Sequence, residues 1–287
     1  MKNLNAYIME SIGSKTALNE GLADWGDDKT LNKKISKQTS KSSIQQEIFD
    51  WIKSNTQNRI YKNKFKFDFS TTPTTVNYDG DIIYTTTVTS LTSEIFQWGE
   101  VGNNFKCSHC RSLTTLEGAP KIVGGNFICN NCKSLKTLEG APQEAEYFEC
   151  GWCNSLISLK GAPKKVGGYF YCNYCESLTS LEGAPEKVDD TFSCSYCQSL
   201  KSLKGAPKEI GSSFNCSHCQ SLKSLKYGPE IVGGNFHCFR CPNLTSLEYA
   251  PKEVVGSFLC GHCGKKFTID DVKKVSNVRR KIFCELW

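Results

Sequence analysis

Eight Cys-x-x-Cys pairs recur along the chain, at Cys107/Cys110, Cys129/Cys132, Cys150/Cys153, Cys172/Cys175, Cys194/Cys197, Cys216/Cys219, Cys238/Cys241 and Cys260/Cys263. Their starts are 22, 21, 22, 22, 22, 22 and 22 residues apart. A period held that constant leaves few folds open, because the chain must be one supersecondary unit copied and stacked. Sixteen of the 17 cysteines belong to this array, so the cysteine content has to be explained by the unit itself.

Aligned on the cysteines, the unit reads V-G-G-x-F-x-C-x-x-C-x-S-L-x-S-L-x-G-A-P. Phe105, Phe127, Phe148, Phe170, Phe192, Phe214, Phe236 and Phe258 lie two residues before each first cysteine, which puts ring and thiol on one strand face. Two leucines follow three residues apart, as at Leu113/Leu116 and Leu178/Leu181, and Gly-Ala-Pro then turns the chain, as at Gly118-Ala119-Pro120. A unit of this size cannot bury its apolar positions alone, but stacked copies can. The short apolar runs and the Gly and Pro punctuation favour a β-rich coil over a helical repeat.

At this level of detail the sequence resembles a known family. Val123-Gly124-Gly125-Asn126-Phe127-Ile128-Cys129-Asn130-Asn131-Cys132-Lys133-Ser134-Leu135 is similar to the leucine-rich-repeat frame L-x-x-x-L-x-L-x-x-C-x-x-L, stretched by one residue at its start. Ser177-Leu178-Thr179-Ser180-Leu181-Glu182-Gly183-Ala184-Pro185 resembles the leucine-rich-repeat-like proteins of tailed bacteriophages. The resemblance covers residues 78–283. The expected fold class is a β-rich solenoid, a leucine-rich-repeat-like right-handed coil of eight repeats of about 22 residues, with a small α+β N-terminal cap and a short helical C-terminal cap. The resemblance implies fold far more than function.

The flanks divide the rest. Residues 43–53 predict one amphipathic helix, with Ser43 and Gln46 as a capping box and Ile44, Ile48, Trp51 and Ile52 on one face. Phe65, Phe67 and Phe69 alternate, and Tyr78-Asp79-Gly80-Asp81 predicts a hairpin turn. Thr268 opens a short helix that ends the array, and Cys284 reads as a buried cap residue. Arg279, Arg280 and Lys281 read as a solvated tail, with an anion-binding site as the alternative. The expected organisation is a leader at 1–11, a flexible linker at 12–42, an N-terminal cap at 43–100, the eight-repeat solenoid at 101–263 and a C-terminal cap at 264–287.

Met1 to Ser11 resembles the leader that sends internal proteins into the heads of T-even-type phages. That resemblance implies processing between Glu10 and Ser11, because Ile8-Met9-Glu10 fits an I/L-x-E motif before a small residue. The N-terminus lacks the apolar core of a secretory signal, and no stretch is apolar enough to span a membrane. The expected location is the host cytoplasm or the virion interior, without export or a membrane anchor.

In a reducing compartment the thiols are buried, free or metal-bound. Neighbouring pairs have the spacing C-x₂-C-x₁₇₋₁₈-C-x₂-C, which zinc ribbons also use, so the sixteen cysteines are candidate zinc ligands. The preferred reading is the other one: the solenoid frame already uses both positions, one as an inward strand residue and one as a ladder residue, and cysteine packs there as a small hydrophobe. On that reading there is no cofactor, with zinc as the alternative; disulfides or an iron–sulfur cluster are minor alternatives.

No enzyme signature stands out of the repeat, and eight periodic Cys-x-x-Cys pairs do not resemble one activated redox pair. The net charge of +6 is concentrated in residues 254–287, with seven basic and three acidic residues, whereas residues 101–253 carry sixteen and fourteen. A balanced body argues against nucleic acid as a partner. The expectation is a non-enzymatic scaffold for protein–protein contacts, a bacteriophage accessory or host-interaction protein whose partner the sequence does not identify. The alternative is a structural or metal-sequestering zinc array. The candidate partner-binding row is the third position of Cys-x-x-Cys: His109, Trp152, Tyr174, Tyr196, His218, Arg240 and His262, with Asn131 filling the remaining copy. Its aromatics and Arg are the residue types that dominate interface energetics. A second row is Lys106, Ile128, Glu149, Tyr171, Ser193, Asn215, His237 and Leu259.

Overall fold

The computed structural model describes residues 29–284, with side chains from residue 40 onward. By its contacts the described chain divides between Ile44 and Gln45. The proposed leader, including Glu10 and Ser11, lies outside the described residues.

The first element is an α-helix, Lys29–Asn55, longer than the helix expected over 43–53. Ser43 therefore lies inside it, and the expected capping box with Gln46 does not form. Polar, Lys- and Ser-rich composition at 29–42 reads as linker, yet Lys is also a good helix former.

Residues 45–284 build a parallel β-solenoid of about ten turns. Most turns hold two short strands, one ending in Val or Ile and one starting with Phe. Stacking is in register: Val166, Val188, Ile210, Val232 and Val254 pair in succession, as do Phe170, Phe192, Phe214, Phe236 and Phe258. The strands are short because the unit turns three times. The chain bends at the Gly-Gly corner between strands, at Cys-x-x-Cys, and at the leucine segment, where Leu135 N donates to the Cys132 carbonyl (3.0 Å) and Ala141 N to the Leu138 carbonyl (3.0 Å).

Identical turns stack identical side chains. The eight phenylalanines form one ring column, fully buried, with centroids 4.9–5.8 Å apart along its length. The two leucine columns and the first-cysteine column are buried beside it. In the corners that carry Gly-Ala-Pro the glycine lies against the preceding turn: Gly183 has φ +89°, and a Cβ there would lie 2.5 Å from the Lys160 Cα.

Each end carries a turn that lacks the full motif. At the N-terminal end Tyr78-Asp79-Gly80-Asp81 is not a hairpin. It is the corner of a first solenoid turn, joining Thr74–Tyr78 to Ile82–Ile83, and both strands pair in parallel with the next turn. The hairpin lies earlier, where Phe65–Asp68 pairs antiparallel with Thr74–Tyr78. The corner motif resembles a hairpin turn because both need a Gly- and Asp-rich bend. The first turn is closed on its outer side: Gln57 N donates to the Ile83 carbonyl (2.7 Å), Ile83 N to Asn58 Oδ1 (3.0 Å), and Thr56 bridges Tyr84. Ile48 and Ile52 are fully buried, and Trp51 packs edge-on against Phe96 at 5.1 Å.

At the C-terminal end the helix Ile269–Lys273 replaces the leucine segment. Thr268 caps it through a reciprocal box with Asp271. The coil then continues: Asn277–Val278 and Ile282–Phe283 pair in parallel with the strands before them. The array does not end at the helix, and Arg279, Arg280 and Lys281 form the corner of this last turn instead of a tail. Arg279 ion-pairs with Glu253. Cys284 falls in register with Cys260 and is half-buried, so it continues the first-cysteine column.

Candidate functional site

Each residue of the candidate row has a left-handed backbone, with φ between 53° and 62° at His109, Asn131, Trp152, Tyr174, Tyr196, His218, Arg240 and His262. Asn tolerates this conformation, but aromatic residues do so at a cost. The repeat imposes it: the residue at this position reverses the chain so that both cysteines face inward. Its N–H is satisfied by the following turn, as Trp152 N donates to the Asn173 carbonyl (2.8 Å) and Tyr174 N to the Ser195 carbonyl (2.9 Å). The position tolerates any side chain that points outward, which is why its identity varies.

The row places Trp152, Tyr174, Tyr196 and His218 in one surface stack. Centroids are 4.7, 4.4 and 4.0 Å apart, with planes within 11° of parallel. The rings spend their faces on each other, leaving edges and polar atoms outward. Trp152, at one end, is 49% exposed. A single-stranded nucleic acid needs open faces on which bases stack, and the interior of this stack offers none. His109 is exposed but separated from Trp152 by Asn131.

Beyond the stack the row opens into a shallow groove of about 450 Å³, lined by Tyr196, His218, Arg240 and His262 on one side and by Gln198, Gln220 and Pro242 on the other. The two glutamines and Pro242 follow the second cysteine of their repeats, and the sequence reading missed them. The signal was present in the unit, since that position is the row's neighbour across each turn. Burial and the nearby Arg240 charge hold the His218 imidazole below its usual pKa, which favours the neutral ring and leaves Arg240 as the groove's cation. Phe239 contacts His218 edge-on at 5.2 Å.

The second row lies on the outward strand face, and two of its residues, Glu149 and Ser193, are held by bonds between turns. Glu149 accepts from Tyr169 Oη (2.7 Å) and Asn130 Nδ2 (2.6 Å), and Ser193 Oγ donates to Asn173 Oδ1 (2.6 Å). A further feature escaped the sequence reading. Tyr227 and Tyr249 stand where five other repeats have glycine, at φ 71° and 67°, and Lys226 Nζ sits 5.1 and 5.7 Å from their ring centroids.

The cysteines form two columns. Each second-position thiol donates to a backbone carbonyl of the preceding turn: Cys132 to Cys107 (3.0 Å), Cys153 to Cys129 (3.3 Å), Cys175 to Cys150 (3.2 Å), Cys197 to Cys172 (3.2 Å), Cys219 to Cys194 (3.3 Å), Cys241 to Cys216 (3.3 Å) and Cys263 to Cys238 (3.1 Å). Cys110 does the same to Thr85 (3.3 Å). These groups act as protonated donors. Desolvation pushes the thiols of Cys129, Cys150, Cys172, Cys216 and Cys238 well above the ordinary range, and Cys197 up to about 11. Zinc needs thiolates converging on one point. Among the described residues no group of three or more His, Cys, Asp or Glu side chains is arranged to hold a metal ion. Zinc ligation would take the second-position thiols out of the hydrogen bonds they donate here, because a ligand must be a thiolate.

Comparison of the chain with protein-family models, with curated proteins and with solved structures gives no significant match.

Proposed function

We propose that this chain is a non-enzymatic scaffold that binds a segment of a partner protein in the groove at Tyr196, His218, Arg240 and His262. The observation that carries the reading is the change along the row, from a self-satisfied ring stack to an open groove with one exposed cation and two exposed amides. Gln198 and Gln220 make no side-chain hydrogen bond within the described residues, and stacked amides suit the alternating donors and acceptors of an extended peptide. Tyr and Arg are the residue types that anchor such contacts. The coil is read as leucine-rich-repeat-like, and its S-L-T-S-L-E-G-A-P unit supports a role as a bacteriophage accessory or host-interaction protein. A zinc-loaded array is not proposed, since the second-position thiols stand as protonated donors to backbone carbonyls.

Affinity purification from infected cells tests the reading. The wild-type chain is compared with Gln220→Ala/Arg240→Ala and with a control exposed on the leucine segment, Lys201→Ala. A protein captured by the wild type and the control, and lost from the double variant, supports the groove. Equal capture by all three overturns it.

A further inference from the structure

Fifteen of the 17 thiols are buried, and Cys284 is one of the two that are half-buried. It also belongs to the last described turn of the solenoid, which pairs with the turn before it. Phe258 pairs with Ile282 and Leu259 with Phe283, so the next residues, Cys260 and Cys284, stand side by side, with sulfurs 3.6 Å apart. In-register neighbours on adjacent strands have the Cα spacing a disulfide requires, so a bond needs only side-chain rotation and a small closure of the terminal turn.

The geometry points to Cys284 and Cys260 as an oxidation site, at which a hydroperoxide closes a disulfide that ties the last turn to the one before it. The chemistry balances. The Cys284 thiolate attacks hydrogen peroxide, the O–O bond breaks, and hydroxide leaves to give the sulfenic acid. The Cys260 thiol then attacks the Cys284 sulfur, its proton leaving with the sulfenic oxygen as water, and the proton that Cys284 released on ionising neutralises the hydroxide of the first step. Overall two thiols and one peroxide give one disulfide and two waters.

Position separates this pair from the rest of the column. Cys172, Cys194 and Cys216 are enclosed by a turn on each side and fully buried, and burial suppresses the thiolate that must attack first. Cys284 meets solvent, and Cys260 lies directly behind it as the resolving thiol. Cys263, the other half-buried thiol, instead donates to the Cys238 carbonyl at 3.1 Å.

Full-length protein is treated with a small molar excess of hydrogen peroxide, digested without reduction, and mapped by mass spectrometry. The expected product is one cross-linked peptide joining Cys260 and Cys284, with slowed amide exchange over Asn277–Val278 and Ile282–Phe283. Cys260→Ser is expected to fold and to accumulate Cys284 sulfenic acid, trapped by dimedone. Cys284→Ser is expected to give no cross-link. Cross-links at other cysteines in preference to this pair overturn the proposal. So does Cys284 in the wild type reaching sulfinic acid without cross-linking, or resisting the peroxide altogether.

Discussion

Replacing Tyr174 separates what the surface stack does for the fold from what the row does for a partner. The ring sits 4.7 Å from Trp152 with planes at 4°, and 4.4 Å from Tyr196 with planes at 10°. Each aromatic pair contributes about 0.5–1.5 kcal/mol beyond area burial, so Tyr174→Ala is expected to cost about 1–3 kcal/mol. The backbone at φ 60° adds a second, opposing effect. Alanine keeps the left-handed penalty of about 1–2 kcal/mol that glycine escapes. Glycine gives back about 0.5–1 kcal/mol through its freer unfolded chain. Tyr174→Gly is therefore expected to be more stable than Tyr174→Ala by roughly 0.5–1 kcal/mol, the reverse of the order in an ordinary strand or helix. Urea unfolding followed by near- and far-ultraviolet circular dichroism measures both, and coincident transitions license the free-energy difference. An alanine variant within about 0.5 kcal/mol of wild type, or a glycine variant below alanine, would refute the reasoning.

Gly183→Ala meets the backbone of the preceding turn at φ +89°, and is expected to lose at least about 1–2 kcal/mol, read as a fall of several degrees in the melting temperature. A neutral result would mean the Gly-Ala-Pro corner has room the geometry denies. His218 and His237 both have folded-state pKa values below the unfolded value of 6.5, from burial first and, at His218, from Arg240 second. The unfolded chain then binds more protons in this range, so stability present above about pH 6.5 is lost as pH falls through the folded values. Urea midpoints at pH 7.5 and pH 5 check this, and His218→Gln should flatten part of the difference. The buried-thiol columns predict less than about one zinc per purified chain and a melting curve unchanged by chelator. Stoichiometric zinc, or unfolding by chelator, would contradict the thiol geometry.

The period made the solenoid legible because equal spacing forces equal environments: Phe127, Cys129, Cys132, Leu135 and Leu138 are each buried as the motif requires. The ends were harder to read. Ile82–Ile83 with Tyr84, and Ile282–Phe283 with Cys284, keep the strand pattern but lose the Phe or the second cysteine that marks a repeat, so motif counting stops a turn short at each end. The site was half legible. Outward-facing variability located the row, but a left-handed backbone leaves no mark when the residues adopting it are Trp, Tyr and His. The groove depends on how Gln198, Gln220 and Pro242 sit across a turn from the row, which no single repeat specifies.

One repeat is 21 residues long, and the shortfall falls in a single place. Between Ala145 and Phe148 the corner has two residues where other turns have three, and the strand Glu144–Glu149 runs straight through it, as Ile122–Ile128 does through the three-residue corner before. The columns of Phe, Cys and Leu on either side keep their register through this change. The corner thus works as an expansion joint: the chain can gain or lose a residue there while every inward column stays aligned. A one-residue change between Phe and the second cysteine would instead rotate the ring and the thiols out of the core together.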